Sequence, residues 1–229
     1  MKLKTVKTVL LAGTGLALLA PGMASGAAIS VNYELPWSST LPLAAGDVAG
    51  VVPVDNWNNL ATAGGGAPFN YGMTYLDNSG GNTSLTVTAS VLNSYDSWNT
   101  LGTPDKRIFG DKALFGGSGT LTLSNVPYAL YDLYIYPSDW GNEIINFSIG
   151  TNVQTLTNTF NPIHTSGAVF VLNDTYVRFT DLTGDSLVNM AATSGEVHVA
   201  GFQVVQVPEP SILGLLALAP ALAMRRRRA

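Results

Sequence analysis

The stretch YDLYIY, residues 131–136, decides the fold. Successive side chains of a β-strand point to opposite faces of a sheet, so this stretch carries two sets of side chains. One set is Tyr131, Leu133 and Ile135, and the other is Asp132, Tyr134 and Tyr136. The stretch INFSIG at 145–150 alternates in the same way, with Ile145, Phe147 and Ile149 on one side. Both stretches therefore predict half-buried β-strands.

Seven segments with alternating or β-branched apolar character predict strands at 85–92, 120–126, 128–136, 144–149, 168–172, 176–180 and 197–207. Turn-forming clusters such as DNSGGN and PSDWGN separate them, and no amphipathic helical repeat precedes the C-terminal tail. The predicted fold class is all-β, an antiparallel two-sheet β-sandwich of the jelly-roll type. The Gly- and Pro-rich stretch 38–69 predicts either long loops laid over the sandwich or a flexible linker.

The N-terminus has the order of a secretory signal peptide. Lys2, Lys4 and Lys7 precede an apolar run at 9–20, and small residues follow the break at 21–22. Residues 1–27 are therefore predicted to be removed, with cleavage after Ala27 or Ala28. A membrane-spanning helix is the weaker interpretation, because 12 residues are too few to cross a hydrocarbon core of about 30 Å.

The predicted domain at 28–206 is strongly acidic. It holds 14 Asp and Glu residues against four basic residues, a formal charge of −10. The basic residues are Lys106, Arg107, Lys112 and Arg178. Such a domain repels a polyanion and cannot displace many phosphate counterions, which argues against a nucleic-acid partner. The chain has no cysteine, so disulfides and thiolate metal sites are excluded.

The tail, residues 207–229, combines a Pro-Glu-Pro triplet, an uncharged run and a basic end. The triplet is Pro208, Glu209 and Pro210, and the basic end is Arg225, Arg226, Arg227 and Arg228. The 14 uncharged residues between them would extend about 21 Å as a helix, which is short for a membrane span. Four arginines directly after that run favour a membrane segment whose basic end stays cytoplasmic, over an apolar segment that packs on the domain.

This tail resembles the PEP-CTERM sorting signal of Gram-negative bacteria. The resemblance rests on the triplet, the Leu- and Ala-rich run and the arginine cluster, which occur in that order at the C-terminus. It implies an inner-membrane-anchored precursor that exosortase, a membrane-embedded transpeptidase-like enzyme, processes after secretion. It further implies a final location at the cell surface or in an exopolysaccharide or biofilm matrix. The resemblance covers only the last 23 residues, so it implies nothing about the domain.

The middle of the chain resembles carbohydrate-binding modules of the galactose-binding-like jelly-roll type. The resemblance rests on LSNVPYALYDLYIY, on GVVPVDNWNNL and on VHVAGFQVVQVPEP. It implies a sandwich fold more than it implies a ligand, because a turn that leads into a central strand is common to such folds.

No catalytic motif is present. The chain has two histidines, His164 in an apparent loop and His198 within a strand pattern, and it lacks a nucleophile elbow, a zinc-protease motif and a P-loop. We therefore predict a structural or carbohydrate-binding protein and no enzyme. A secreted carbohydrate-active enzyme with a pair of carboxylates is the alternative, since 14 acidic residues offer many pairs.

Aromatic and amide side chains in loops are the predicted ligand-binding residues. They are Trp57, Asn58, Asn59, Trp98, Asp139, Trp140 and Asn142. A flat aromatic ring beside amide and carboxylate groups suits the apolar face and the hydroxyls of a sugar. The alternative is that each indole covers the core and bonds its N–H to a loop carbonyl. No cofactor is predicted, and a structural calcium ion bound by loop oxygens is the alternative.

Overall fold

The computed structural model describes residues 26–35, 41–61, 69–70, 72–96, 102–137, 143–158 and 169–208. These ranges contain thirteen strands and one short helix. The strands are β1 (Ala28–Glu34), β2 (Asn58–Ala61), β3 (Phe69–Asn70), β4 (Thr86–Ala89), β5 (Asn93–Asp96), β6 (Asp111–Gly116), β7 (Ser118–Ser124), β8 (Tyr131–Pro137), β9 (Ile144–Ile149), β10 (Asn152–Thr157), β11 (Val177–Leu182), β12 (Ser186–Ser194) and β13 (Val197–Gln206). The helix is α1 (Pro104–Arg107).

The strands form two sheets. The first has the order β11-β8-β13-β1-β2, and β6 pairs with the first residues of β13 and with β5. The second has the order β10-β9-β12-β7-β4-β3. Every strand pair is antiparallel except β1 with β2, which run parallel. The prediction of an all-β fold built from two sheets is confirmed.

One apolar core lies between the two sheets. Ile29, Leu133 and Phe202 enter it from the first sheet, and Val87 and Phe147 enter it from the second. All five side chains are fully buried. Burial of a side chain of this size contributes about 1.5–3 kcal/mol. The alternation of β8 and β9 therefore points the predicted apolar set inward, as a sandwich requires.

The prediction that β8 is half-buried is wrong, because every residue of this strand is buried. Tyr131, Leu133 and Ile135 lie in the core between the sheets, whereas Tyr134 and Tyr136 belong to a second apolar cluster on the other face. Three segments cover that face. Residues 41–57 and the turn after α1, residues 108–109, belong to the second cluster, and residues 169–170 pack against it.

Gln203 of β13 ties the covering segment 41–57 to the sheet. Val52 N donates to Gln203 Oε1 at 3.3 Å, and Gln203 Nε2 donates to the Val52 carbonyl at 2.9 Å. Tyr136 Oη donates to the same Oε1 and accepts from Val51 N at 3.0 Å. Gly50 has φ +99°, and a Cβ there would lie 2.5 Å from Gln203 Oε1, so glycine is required. For the described residues 41–57, the prediction of loops laid over the sandwich is confirmed.

Three sequence-based assignments need correction. Residues 169–172, the described part of the predicted strand 168–172, form no strand, and Leu172 makes only an isolated bridge with Tyr176. Residues 58–61 were expected in a loop, but they form β2 beside β1. The predicted strand at 128–136 begins later, at Tyr131.

Among the described residues, no helix is long and apolar enough to span a bilayer. The predicted signal peptide up to residue 25 and the tail from residue 209 lie outside these residues.

Candidate functional site

Trp57 is an interior side chain. Its indole is 6% exposed and donates from Nε1 to the Val54 carbonyl at 3.1 Å. Its ring centroid lies 6.2 Å from that of Tyr136, within the second apolar cluster. A sugar cannot stack on a ring that is covered on both faces by protein. The prediction of Trp57 as a stacking surface is therefore wrong, and the alternative of an indole that covers the core is correct for this residue.

Asn58 and Asn59 have structural roles. Asn58 Nδ2 donates to the Leu76 carbonyl at 2.8 Å, and Asn58 Oδ1 accepts from Leu76 N at 2.8 Å. Asn59 Nδ2 donates to the Leu43 carbonyl at 2.7 Å, and its Oδ1 accepts from Asn32 at 3.3 Å. These amides hold the neighbouring segments on β2. Because their polar atoms are already paired, they are not available as ligand-binding groups.

The other predicted ligand residues lie outside the described residues. They are Trp98, Asp139, Trp140 and Asn142. His164, Glu209, Pro210 and Arg225 to Arg228 also lie outside them, while Pro208 is the last residue described. The stacking role of Trp98 and Trp140 therefore stays a prediction.

A pocket of about 290 Å³ opens where the chain passes from the second sheet to the first. Its described lining consists of Tyr95 of β5, Glu143 before β9, Gly195 and Glu196 between β12 and β13, and His198 of β13. We call it the His198 pocket. Its volume is at the lower end of pockets that hold small molecules, about 300–1,000 Å³, which limits a ligand to roughly one sugar ring.

The floor of the His198 pocket is a histidine–carboxylate pair. His198 Nδ1 lies 2.9 Å from Glu143 Oε1, and the two side chains are 7% and 6% exposed. A carboxylate only accepts hydrogen bonds, so His198 Nδ1 is the donor to Glu143 Oε1. In a neutral ring this arrangement leaves the lone pair on Nε2. Nε2 lies 3.9 Å from Glu196 Oε2, which is too long for a hydrogen bond.

The second oxygen of Glu143 lacks a donor among the described residues. Oε2 is buried, and no described residue forms a hydrogen bond with it. A buried polar atom without a partner destabilises the fold by about 1–3 kcal/mol, and by more when it is charged. Gly195 packs against the same side chain, since a Cβ at Gly195 would lie 2.8 Å from Glu143 Cγ. The turn between β12 and β13 therefore holds the carboxylate in a position that leaves one oxygen unsatisfied.

Tyr95 and Glu196 form the rim of the pocket. Tyr95 is 39% exposed, and its ring meets the His198 ring edge-on at 6.4 Å between centroids. The Glu196 side chain is 57% exposed. The pocket thus combines one accessible aromatic ring with two carboxylates. This combination can pack against the C–H face of a ligand and accept several hydrogen bonds from it.

This site is not evident from the sequence. His198 was placed only within a strand pattern, and in the structure its side chain is buried and bonded to Glu143. The local signal is the spacing of Glu196 and His198, which stand two residues apart and so point to one side of an extended chain. Glu143 has no such signal, because it stands 55 residues from His198.

Within the described ranges, no three His, Asp or Glu side chains are grouped closely enough to hold a metal ion.

No protein-family model, no curated protein and no solved structure matches this chain. A role for the pocket has therefore to be inferred from its own geometry.

Proposed function

We propose that this chain is an exported protein of the cell surface or of an exopolysaccharide matrix, and that its β-sandwich binds carbohydrate without catalysis. The His198 pocket is the proposed binding site. The observation that carries this proposal is the accessible ring of Tyr95 beside the carboxylates of Glu143 and Glu196. An aromatic face next to hydrogen-bond acceptors is the combination that a sugar ring requires.

The two-sheet architecture gives this proposal fold-level support. We propose that the sheets have a jelly-roll-like arrangement, which is common in lectin domains. The resemblance of residues 123–136 to galactose-binding-like modules points in the same direction. Both arguments are analogies of fold, so the binding role depends on the pocket itself.

Export and sorting form the second part of the proposal. The basic, apolar and small-residue order of the N-terminus supports a cleaved signal peptide. The tail supports a membrane-anchored precursor that exosortase processes, with the triplet on the outer side and the four arginines in the cytoplasm. Mass spectrometry of surface-exposed protein from a strain with active exosortase tests this part. We expect a form that lacks roughly the last 20 residues, and a surface form that ends at Ala229 would contradict it.

A glycan array tests the binding role. The exported protein, recovered from cells that express the full chain, is applied beside its Tyr95→Ala and Leu187→Ala variants. Leu187 is an exposed residue of β12, so its truncation is the matched control. We expect the wild type and Leu187→Ala to bind the same glycans and Tyr95→Ala to lose them. Equal binding by all three proteins would place the site elsewhere.

One observation favours the enzyme alternative. His198 Nδ1 is bonded to Glu143, so a neutral His198 ring has its lone pair on Nε2, and a histidine positioned in this way can act as a general base. Incubation of each bound glycan with the protein, followed by measurement of new reducing ends, separates the two functions. We expect the wild-type protein to release new reducing ends no faster than a His198→Gln variant does. A clear increase that is absent from this variant would establish an enzyme.

A further inference from the structure

We infer that the His198 pocket selects an amino sugar with a free ammonium group, over N-acetylated and over acidic sugars. This inference rests on the proposed carbohydrate-binding function and specifies its ligand class. Three features of the pocket support it: its charge, the unsatisfied oxygen of Glu143 and the position of the Tyr95 ring.

The charge of the pocket is the first feature. Of its five described lining residues, Glu143 and Glu196 are acidic and none is Lys or Arg. Lys112 stands opposite Tyr95 in the β5–β6 ladder, but it is fully buried, has a partner of its own and does not line the pocket. The predicted mature domain adds a formal charge of −10 to the local field. A cationic ligand is attracted to such a site, and a uronate is repelled from it.

The unsatisfied oxygen of Glu143 is the second feature. Oε2 is buried, has no donor within the part of the chain that the structure describes, and belongs to a side chain that lines the pocket. The Gly195 contact is with Cγ, whereas the terminal torsion of a glutamate is soft and nearly two-fold, so the carboxylate can turn toward a ligand while Cγ stays in place. An ammonium group has three donors and forms charge-assisted bonds with a carboxylate. Its binding would satisfy an atom that destabilises the ligand-free protein.

The Tyr95 ring is the third feature. It lies at the rim, 6.4 Å from the His198 ring between centroids, and it is accessible. A 2-amino-2-deoxyhexose presents an apolar C–H face and an ammonium group on one ring. The face packs on Tyr95, and the ammonium is attracted both to the carboxylates and to the aromatic face. An N-acetyl group removes the positive charge and adds volume in a pocket of about 290 Å³.

Isothermal titration calorimetry on the exported protein tests the inference. The probes are β-1,4-linked glucosamine tetramer, its fully N-acetylated counterpart and a galacturonate tetramer. We expect the glucosamine tetramer to bind at least tenfold more tightly than the other two. Its affinity should fall as salt is raised, because added ions screen the attraction between ammonium and carboxylate.

Matched variants separate a specific site from general attraction to an acidic protein. We expect Glu143→Gln and Glu196→Gln each to weaken glucosamine binding about tenfold, which corresponds to ~1.4 kcal/mol. Asp185→Asn removes the same charge outside the described lining of the pocket and should have little effect. Glu196 is exposed, so its variant remains informative if Glu143→Gln fails to fold.

Each outcome has a distinct meaning. Equal binding of the three tetramers, lost in Tyr95→Ala, would overturn the amino-sugar inference and leave the carbohydrate-binding function intact. If Asp185→Asn weakens glucosamine binding as much as Glu143→Gln does, the binding is a general charge attraction, and the amino-sugar inference is overturned. A folded wild-type protein that binds no sugar on the array or in the calorimeter would overturn the proposed function itself.

Discussion

His198 Nδ1 and Glu143 Oε1 lie 2.9 Å apart and connect the two sheets at the pocket. His198 belongs to β13 of the first sheet, and Glu143 directly precedes β9 of the second. The bond is buried, so water competes for it only weakly. It therefore positions the floor of the pocket relative to both sheets.

Gly195→Ala should destabilise the protein more than Gly184→Ala does. Both glycines have positive φ, +76° and +62°, so each substitution strains the backbone by about 1 kcal/mol. At Gly184 a Cβ meets nothing within 4 Å, whereas at Gly195 it lies 2.8 Å from Glu143 Cγ. We expect a loss of about 2–3 kcal/mol for Gly195→Ala in urea unfolding. Equal losses would show that the turn does not press on Glu143.

Trp57→Ala should reduce the stability of the protein, whereas Tyr95→Ala should reduce its sugar binding. Trp57 is buried in the second apolar cluster, so its truncation should lower the free energy of unfolding by about 3–5 kcal/mol. Tyr95 lies at the pocket rim, so its truncation should change stability by less than about 1 kcal/mol and abolish sugar binding. Urea unfolding and the glycan array measure the two effects. A Trp57→Ala variant that stays stable but no longer binds sugar would contradict this assignment, because Trp57 would then be a binding residue.

Alkaline pH should destabilise the fold through its buried tyrosines. Burial raises the pKa of Tyr128 to about 12, and it raises the pKa of Tyr136 well above the ordinary value of 10. The folded state holds these protons more tightly than the unfolded state does. The contribution of the two protonated tyrosines to the free energy of unfolding is therefore fully present below pH 10 and is lost as pH rises above 10. The Tyr128 hydroxyl also has no hydrogen-bond partner among the residues described. Tyr128→Phe should therefore keep its stability at neutral pH and lose less of it between pH 10 and 12.

Urea unfolding at pH 8, 10, 11 and 12 measures this dependence, with Tyr95→Phe as the control. Tyr95 is exposed, so removal of its hydroxyl should leave the pH profile of the wild type unchanged. A stability that stays constant up to pH 12 would contradict the buried position of these hydroxyls.

Cleavage after Ala27 fits the structure better than cleavage after Ala28. Ala28 N donates to Asn78 Oδ1 at 2.9 Å, and its carbonyl accepts from Asn78 N at 2.8 Å. A new ammonium group at Ala28 keeps the first bond, whereas a chain that begins at Ile29 loses both. We therefore expect the exported chain to begin at Ala28, and Asn78→Ala to lower its stability by about 1–2 kcal/mol. N-terminal sequencing that returns Ile29, or Met1, would contradict this expectation.

The alternation of residues 131–136 predicted β8 because its period is local. The burial of both faces of β8 was not predictable in the same way, since its cover comes from residues 41–57 and depends on Gln203 of β13. β6 was missed because it begins with Asp111 and Lys112, charges that are rarely buried. Asp111 Oδ2 accepts from Leu35 N at 2.9 Å, a partner 76 residues away.

β12 was missed for a different reason. Val188 and Met190 point inward, but Leu187 is exposed on the outer face and obscures the alternation. The candidate site shows the same division between local and distant signals. The spacing of Glu196 and His198 is visible in the sequence, while the position of Glu143 depends on how the two sheets pack.

A crystal structure of the exported protein with bound glucosamine tetramer tests the central claim most directly, because it shows where the sugar lies. We predict one sugar ring in the His198 pocket, with its C–H face against Tyr95 and its ammonium group within hydrogen-bond distance of a Glu143 or Glu196 oxygen. A tetramer bound only at other residues, with the His198 pocket empty at saturating sugar, would contradict the claim.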